Sequence, residues 1–439
     1  MRNGLSSLFN QLSDNRQEGK VKYSIHDTMM FGFTCMYFQD PSLSQFQGRC
    51  KEVKHKENLK IHFDIKDNPE STQMKTIIDN VEGEEFRPIF KDYFSRLQRG
   101  KHLEQYQIFD GLYICSIDAT QYFHSKNINC PNCLTTEHEN GSISYSHKVL
   151  QAAIMHPDMC QVIPLMPEEI INTDGSTKQD CETNAAKRLI PKIRKDHPQL
   201  GLIIVGDGLF SKQPMIEKVF SERMHYIFVA KPSDHKYMMR WIGKNKDKVN
   251  KICITDEQGL IHLYEWINDV PLNGRKDSIN VNFFRYQLIS TDENNKEKVI
   301  YQNSWITDLQ INNQNVKTLG NVKPLVRAGR CRWKIENECF NTFKNQGYNI
   351  EHNYGHGQNN LCFNFFLFTL LAFYFHQIFE LTDGLYKDCR QKFGSKMHMW
   401  ETIRSYIKIL LFETWEHLLD FALTPQKYHL SFNPPYNPP

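Results

Sequence analysis

The 439-residue chain has little net charge: 53 Lys and Arg against 50 Asp and Glu leave +3 with His neutral. A balance that close gives no global basic field, so any contact with nucleic acid has to come from local charge. The opening residues, "MRNGLSSLFNQLSDNRQEGK", lack the apolar core of a signal peptide. The twelve cysteines lack the spacing of a disulfide framework. They are scattered, most of them inside apolar runs, which fits a reducing, cytoplasmic setting. A membrane-length apolar run is missing too. The most apolar segment, "LCFNFFLFTLLAFYFHQIFEL" (361–381), carries Asn364, His376 and Gln377. Its unbroken part, 365–375, falls short of the ~20 residues that span a bilayer. The segment is expected to be a helix buried in protein, and no membrane partner is expected.

What remains is an ordinary core-forming composition, 40% apolar and 23% charged, in a chain long enough for several structural units. Residues 1–108 read as a helical region: "DTMMFGFTCMYFQD", "MKTIIDNV" and "FRPIFKDYFSRLQRG" carry apolar residues at helical spacing. From 109 the period changes. "GLYICSIDATQYF", "GSISYSHKVLQAAIMH", "CQVIPLMP", "GLIIVGD" and "HYIFVAK" read as strands, with helices expected over 178–197 and in "SKQPMIEKVFSER". Pro191 predicts a kink or break in the first helix, and Ser211 reads as the N-cap of the second. Residues 232–322 read as a β-rich insertion, 324–348 as a helix, and 358–425 as two or three helices ahead of a Pro-rich tail. The order predicts an α/β protein built on a mixed sheet with helices on both faces.

Two carboxylates fall where strands leave such a sheet. Asp118 lies within the first strand, and Asp207, flanked by Gly206 and Gly208, ends the fourth. Ligands of open α/β sheets collect beyond the carboxyl ends of strands. Acids that converge there repel unless a cation sits between them, and a pair of divalent ions can clamp the attacking and leaving oxygens of a phosphoryl displacement. A third acid would come from "RCRWKIENECFNTFK", which offers Glu336 and Glu338 on opposite sides of a helix. Taken singly, each acid reads as readily as a turn residue or a surface side chain.

Together, "SIDATQYF", "VGDGLFSKQPMIE" and "RWKIENECFNTFKNQGYNIEHNYGHG" resemble the DDE transposases of bacterial insertion sequences, in the cut-and-paste group marked by a Tyr-Arg-Glu-Lys signature. The resemblance runs over roughly 20–380. It implies a ribonuclease H-like core in two parts, 109–231 and 323–357, with 232–322 as the insertion, 1–108 binding DNA ends and a helical 358–439 region. It makes Asp118, Asp207 and Glu336 the catalytic acids, holding two Mg²⁺ or Mn²⁺ ions, and Arg332 and Lys344 phosphate contacts. The partners it implies are double-stranded DNA, at terminal inverted repeats and at a target, and a second copy of the chain; the setting is the nucleoid. A DNA-binding relic and a nuclease without strand transfer are the competing readings. Two departures stand out: Gly329 occupies the signature Tyr position, and Lys344 comes one residue late.

Trp333, beside Arg332, could stack on an unpaired base, though burial against the sheet is the commoner fate of such a residue. Cys130 and Cys133 form a CxxC pair, half of a zinc site, with His124, His138 and His147 nearby in sequence and no second CxxC. A plain hairpin carrying two reduced thiols fits the pair equally well. The basic run "KRLIPKIRK" reads as a solvated helix face or a phosphate track, and Asp180 and Glu182 as acids of a first helical turn.

Overall fold

The structure is a computed structural model and describes residues 2–17, 19, 21–109, 111–172, 179–291, 296–312 and 320–429. The Pro-rich tail lies outside the described residues. The chain divides into two bodies, Met1–Ile89 with Thr342–Pro439, and Phe90–Asn341.

The described residues of the first body are helical and aromatic. The helix Leu361–Thr382 is apolar all round, and its burial follows from that. It packs against Ile25–Tyr37 and Ser71–Asp79. Its polar residues find partners in protein: Asn364 donates to the carbonyls of Ile78 and Val81 at 2.8 Å, and the His376 ring meets the Tyr348 hydroxyl at 2.6 Å. Long enough by length and composition to cross a bilayer, this helix is instead 94% buried within protein. The polar stretch after Gly48 is largely helix, Val53–Phe63. Four helices fill the C-terminal part, Leu361–Thr382, Gly384–Phe393, Lys396–Ile409 and Trp415–Leu423, more than the sequence pattern resolves.

The second body is built on one mixed sheet. Its strands are β1 (Gln107–Ile108), β2 (Leu112–Ser125), β3 (Leu134–Glu137), β4 (Ile143–Met155), β5 (Ile163–Pro164), β6 (Glu168–Ile170), β7 (Gly201–Gly206), β8 (His225–Val229), β9 (Asn250–Thr255), β10 (Ile261–Pro271), β11 (Asn280–Thr291) and β12 (Glu297–Thr307). The order is β3-β4-β2-β7-β8-β12-β11-β10-β9, with β1 paired to β2, and β5 and β6 to β4. β2, β7 and β8 run parallel; β4 and β12 join them antiparallel on either side. Residues 232–322 therefore continue the sheet through the β8–β12 pairing. They also include the helix Lys236–Lys244, which their β-rich pattern did not announce.

β7 explains the apolar run at 202–205. Successive strand side chains face opposite sides, and Leu202, Ile203, Ile204 and Val205 are all 0% exposed, so both faces are covered there. Helices Glu182–Asp196, Gln213–Ser221 and Val322–Arg330 and the π-helix Ile335–Phe340 pack on the sheet.

Three local expectations are corrected. Of the kink or break expected at Pro191, the break does not occur: Glu182–Asp196 is one helix with Pro191 inside it. A proline there forfeits one backbone hydrogen bond, but the buried stripe Ala185, Ala186, Leu189, Ile190 and Ile193 seats both halves on the sheet. Ser211 is not an N-cap: the helix begins at Gln213, and the Ser211 hydroxyl donates to Gly208 O at 2.7 Å and meets the buried His235 ring at 2.8 Å. Finally, 324–348 is no single α-helix. It is Val322–Arg330, then a turn, then the π-helix Ile335–Phe340 and the short helix Asn341–Asn345.

Candidate active site

Register brings the first two acids together. β2 pairs β7 in parallel, with Ser116 opposite Val205. Asp118 lies two residues beyond Ser116, and Asp207 two beyond Val205. Equal offsets from a paired position put both at the same level, just past the last parallel pair. Burial loosens there: β2 is buried from Tyr113 to Ile117 and half-buried at Asp118 and Ala119. Asp207 also serves as a turn residue. Its Oδ1 accepts the Leu209 N–H at 2.9 Å, and a carboxylate has lone pairs to spare for a second role. Gly206 is required by close approach, since a Cβ there would lie 2.6 Å from the Phe210 ring.

The π-helix Ile335–Phe340 packs on β2 and supplies Glu336. Arg332 Nη1 donates to Asp118 Oδ2 at 3.1 Å and to Glu336 Oε1 at 2.8 Å, so one nitrogen bridges two of the three acids. Asp118 also accepts the Ala119 N–H at 2.9 Å. Burial pushes Asp118 up to about 7; Arg332 opposes the shift, while Glu336 and Asp207 reinforce it. Burial is the main cause, and the single guanidinium does not offset it. Asp118, Asp207 and Glu336 thus share one electrostatic site within a single body. Three oxygen donors short of positive charge are the chemistry a divalent cation fits.

A fourth acid is present that the sequence reading set aside. Glu182 is raised from its ordinary value by burial and then by Asp207, with Lys148 opposing. Asp180, two residues before it, belongs elsewhere. Its buried carboxylate accepts Arg188 Nη2 at 2.6 Å, while Glu168 takes Arg188 Nε at 2.8 Å and Lys192 Nζ at 2.7 Å. Arg194 spends its guanidinium on the carbonyls of Glu222 at 2.8 Å and Arg223 and Leu200 at 2.9 Å. The run "KRLIPKIRK" is therefore neither a merely solvated face nor a free phosphate track: three of its cations hold the fold.

The other expected residues separate. Trp333 is 48% exposed beside Arg332, which corrects the expectation of burial. Lys344 belongs to the first body, where it pairs with Glu351 at 2.9 Å. Gly329, in place of the signature Tyr, has a packing cause: a Cβ would come within 2.7 Å of the buried Trp305 indole. Glu338 lies on the same short π-helix as Glu336, but the Arg332 bridge goes to Glu336. Cys130 and Cys133 meet His147, on β4, within 3.4 Å and 3.3 Å of its Nε2. His138 instead bonds Ser144 at 2.9 Å, and His124 is exposed.

No protein-family model and no curated protein matches the chain. Among solved structures, the piggyBac transposase, determined by cryo-electron microscopy in a synaptic complex with hairpin DNA, is similar at 10% identity and a TM-score of 0.38, over 98% of this chain and 82% of that one. At that level the likeness fixes neither fold detail nor activity.

Proposed function

We propose that this protein is a DNA transposase of the DDE kind, with Asp118, Asp207 and Glu336 as its metal-binding acids. The observation that carries the reading is the approach of these three carboxylates just past the last parallel pair of β2 and β7, with Arg332 bridging Asp118 and Glu336 and Asp118 driven up to about 7. The strand order supports a ribonuclease H-like core: β2, β4 and the β5–β6 pair form an antiparallel run, and β7 and β8 add in parallel on the other side of β2. The π-helix bears on the late lysine. A π-turn closes over one residue more than an α-turn, which is the excess in the Arg-Glu-Lys spacing.

Two Mg²⁺ or Mn²⁺ ions held by these acids would supply an activated hydroxyl and stabilise the departing oxygen. The chain's own groups bind and orient. Asp118 rides on β2, Asp207 on the turn that follows β7, Glu336 on a helix packed against β2, and Arg332 offers a planar fork suited to a phosphate beside the scissile bond. The exposed Trp333 suits stacking on a base freed from the duplex. The reaction is hydrolysis at an element end followed by attack of the 3′-OH on target DNA, and joining two ends calls for two copies of the chain. The test is Mg²⁺-dependent cutting and joining of DNA that carries the ends of the encoding element. Loss of both steps in Asp207→Asn, with DNA binding kept, supports the reading. Cutting that survives the substitution removes it, and cutting without joined product leaves the nuclease reading in its place.

A further inference from the structure

The β2–β4 hairpin carries a second cluster of ligand type, chemically unlike the first. Cys130 Sγ lies 3.8 Å from Cys133 Sγ, and the two sulfurs lie 3.4 Å and 3.3 Å from His147 Nε2. A disulfide would hold its sulfurs at about 2.05 Å, so these are two separate thiols. Tetrahedral zinc, with Zn–S of ~2.3 Å and Zn–N of ~2.0–2.1 Å, spaces two sulfurs by ~3.8 Å and a sulfur from a nitrogen by ~3.5 Å. All three separations match that pattern without rearrangement.

The fold makes this convergence rather than tolerating it. Cys130 and Cys133 close a tight turn, with Cys133 N–H donating to Cys130 O at 3.1 Å and Cys130 N–H directed at Cys133 Sγ at 3.4 Å. The next residue, Leu134, begins β3 opposite Ser146, which seats Cys133 beside His147. A register shift between Gln121 and Phe123 sets Phe123 opposite His147. The imidazole then stacks on Tyr122 at 5.7 Å and leans on Phe123 at 5.6 Å. His147 and Cys133 are 4% and 2% exposed, which keeps water from competing for the ligand atoms.

We infer that Cys130, Cys133 and His147 bind a structural Zn²⁺ that ties the turn before β3 to strands β2 and β4. Two thiolates and an imidazole select a soft or borderline ion over the hard Mg²⁺ that carboxylates take. The ion fastens the far end of β2, the strand that carries Asp118, so it holds the hairpin on which the acidic site is built. A further donor completes the tetrahedron. The inference stands independently of the transposase reading.

The full chain, purified without added metal and without a polyhistidine tag, should contain about one zinc per molecule by elemental analysis. Its cobalt-substituted form should show thiolate-to-cobalt charge transfer together with the intense d–d bands of a tetrahedral ion. Cys133→Ser and His147→Gln should each lower zinc to about none. Asp207→Asn should leave it unchanged. Because the ligand variants could misfold, alkylation mapping on the unaltered protein gives a second reading: Cys130 and Cys133 should be protected until zinc is removed by chelation, then react together. Absence of stoichiometric zinc, a cobalt spectrum without thiolate bands, or a Cys130–Cys133 disulfide in the isolated protein would each overturn the assignment.

Discussion

Two groups of carboxylates sit in the sheet body, and they differ in how their charge is met. Asp180 and Glu168 face Arg188 and Lys192, two acids against two bases, with Asp180 fully buried. Asp118, Asp207 and Glu336, with Glu182 beside Asp207, have Arg332 and the influence of Lys148. The first group is neutralised by its own side chains, which is how a fold retains a buried ion. The second has one guanidinium among its acids, and burial, reinforced by Glu336 and Asp207, raises Asp118 to about 7 despite it. An acidic cluster met by one guanidinium has room for an outside cation, which is what the proposed function asks of it. The Cys–His cluster makes a third case, in which the donors are soft rather than hard.

The comparison breaks most visibly if both carboxylate groups respond alike to neutral replacement. Asp207→Asn and Glu336→Gln should each lower cutting and joining by at least about 10³-fold while thermal stability holds, since residues acting as one unit fail together. Cutting and joining assays beside a melting curve decide it. Arg188→Ala should do the reverse. It leaves Asp180 buried with no guanidinium and should cost about 3–5 kcal/mol in denaturant unfolding.

A finer test uses pH. In protein stripped of divalent ions, Asp118 titrates near 7 when folded, above its ordinary value of 3.8. An acid whose folded value is raised binds its proton more tightly folded than unfolded. Stability therefore falls as pH rises from about 4 to about 7, and levels off above. Asp118→Asn should remove that fall and stabilise the stripped protein by about 1–3 kcal/mol at pH 8. Mg²⁺ should restore stability at that pH in the original chain and not in the variant. A pH profile of unfolding that is the same in both proteins would break the link between burial and charge deficit.

Much of this was legible in the sequence because strands declare themselves by apolar runs. "GLIIVGD" shows a buried strand with an acid just past its end, "YICSID" shows a buried run that reaches an acid within the strand, and equal offsets in parallel register do the rest. What escaped depends on neighbours remote in sequence. Glu182 is a first-turn acid, as its position says, but nothing local reveals Asp207 beside it, and nothing local separates His147 from His124 and His138 until pairing seats Cys133 next to it. The π-helix carries no local sign at all. Its one hint is the extra residue before Lys344. Pro191 does not divide its helix, because a buried stripe outweighs the bond that the proline forfeits.

The smallest expected effect concerns Trp333, which belongs to neither carboxylate group and is 48% exposed beside Arg332. Removing a side chain that is about half exposed should change unfolding by no more than about 1 kcal/mol. Stacking on an unpaired base would contribute ~1–3 kcal/mol. Trp333→Ala should therefore weaken binding to DNA with unpaired bases at the cleavage point by roughly 5- to 150-fold. Binding to intact duplex should change little, and Trp333→Phe should recover most of the loss. Filter binding on the two substrates separates the outcomes. An equal loss on both would assign the indole to duplex contact, and no loss on either would leave Arg332 and the acids as the only part of this rim that meets DNA.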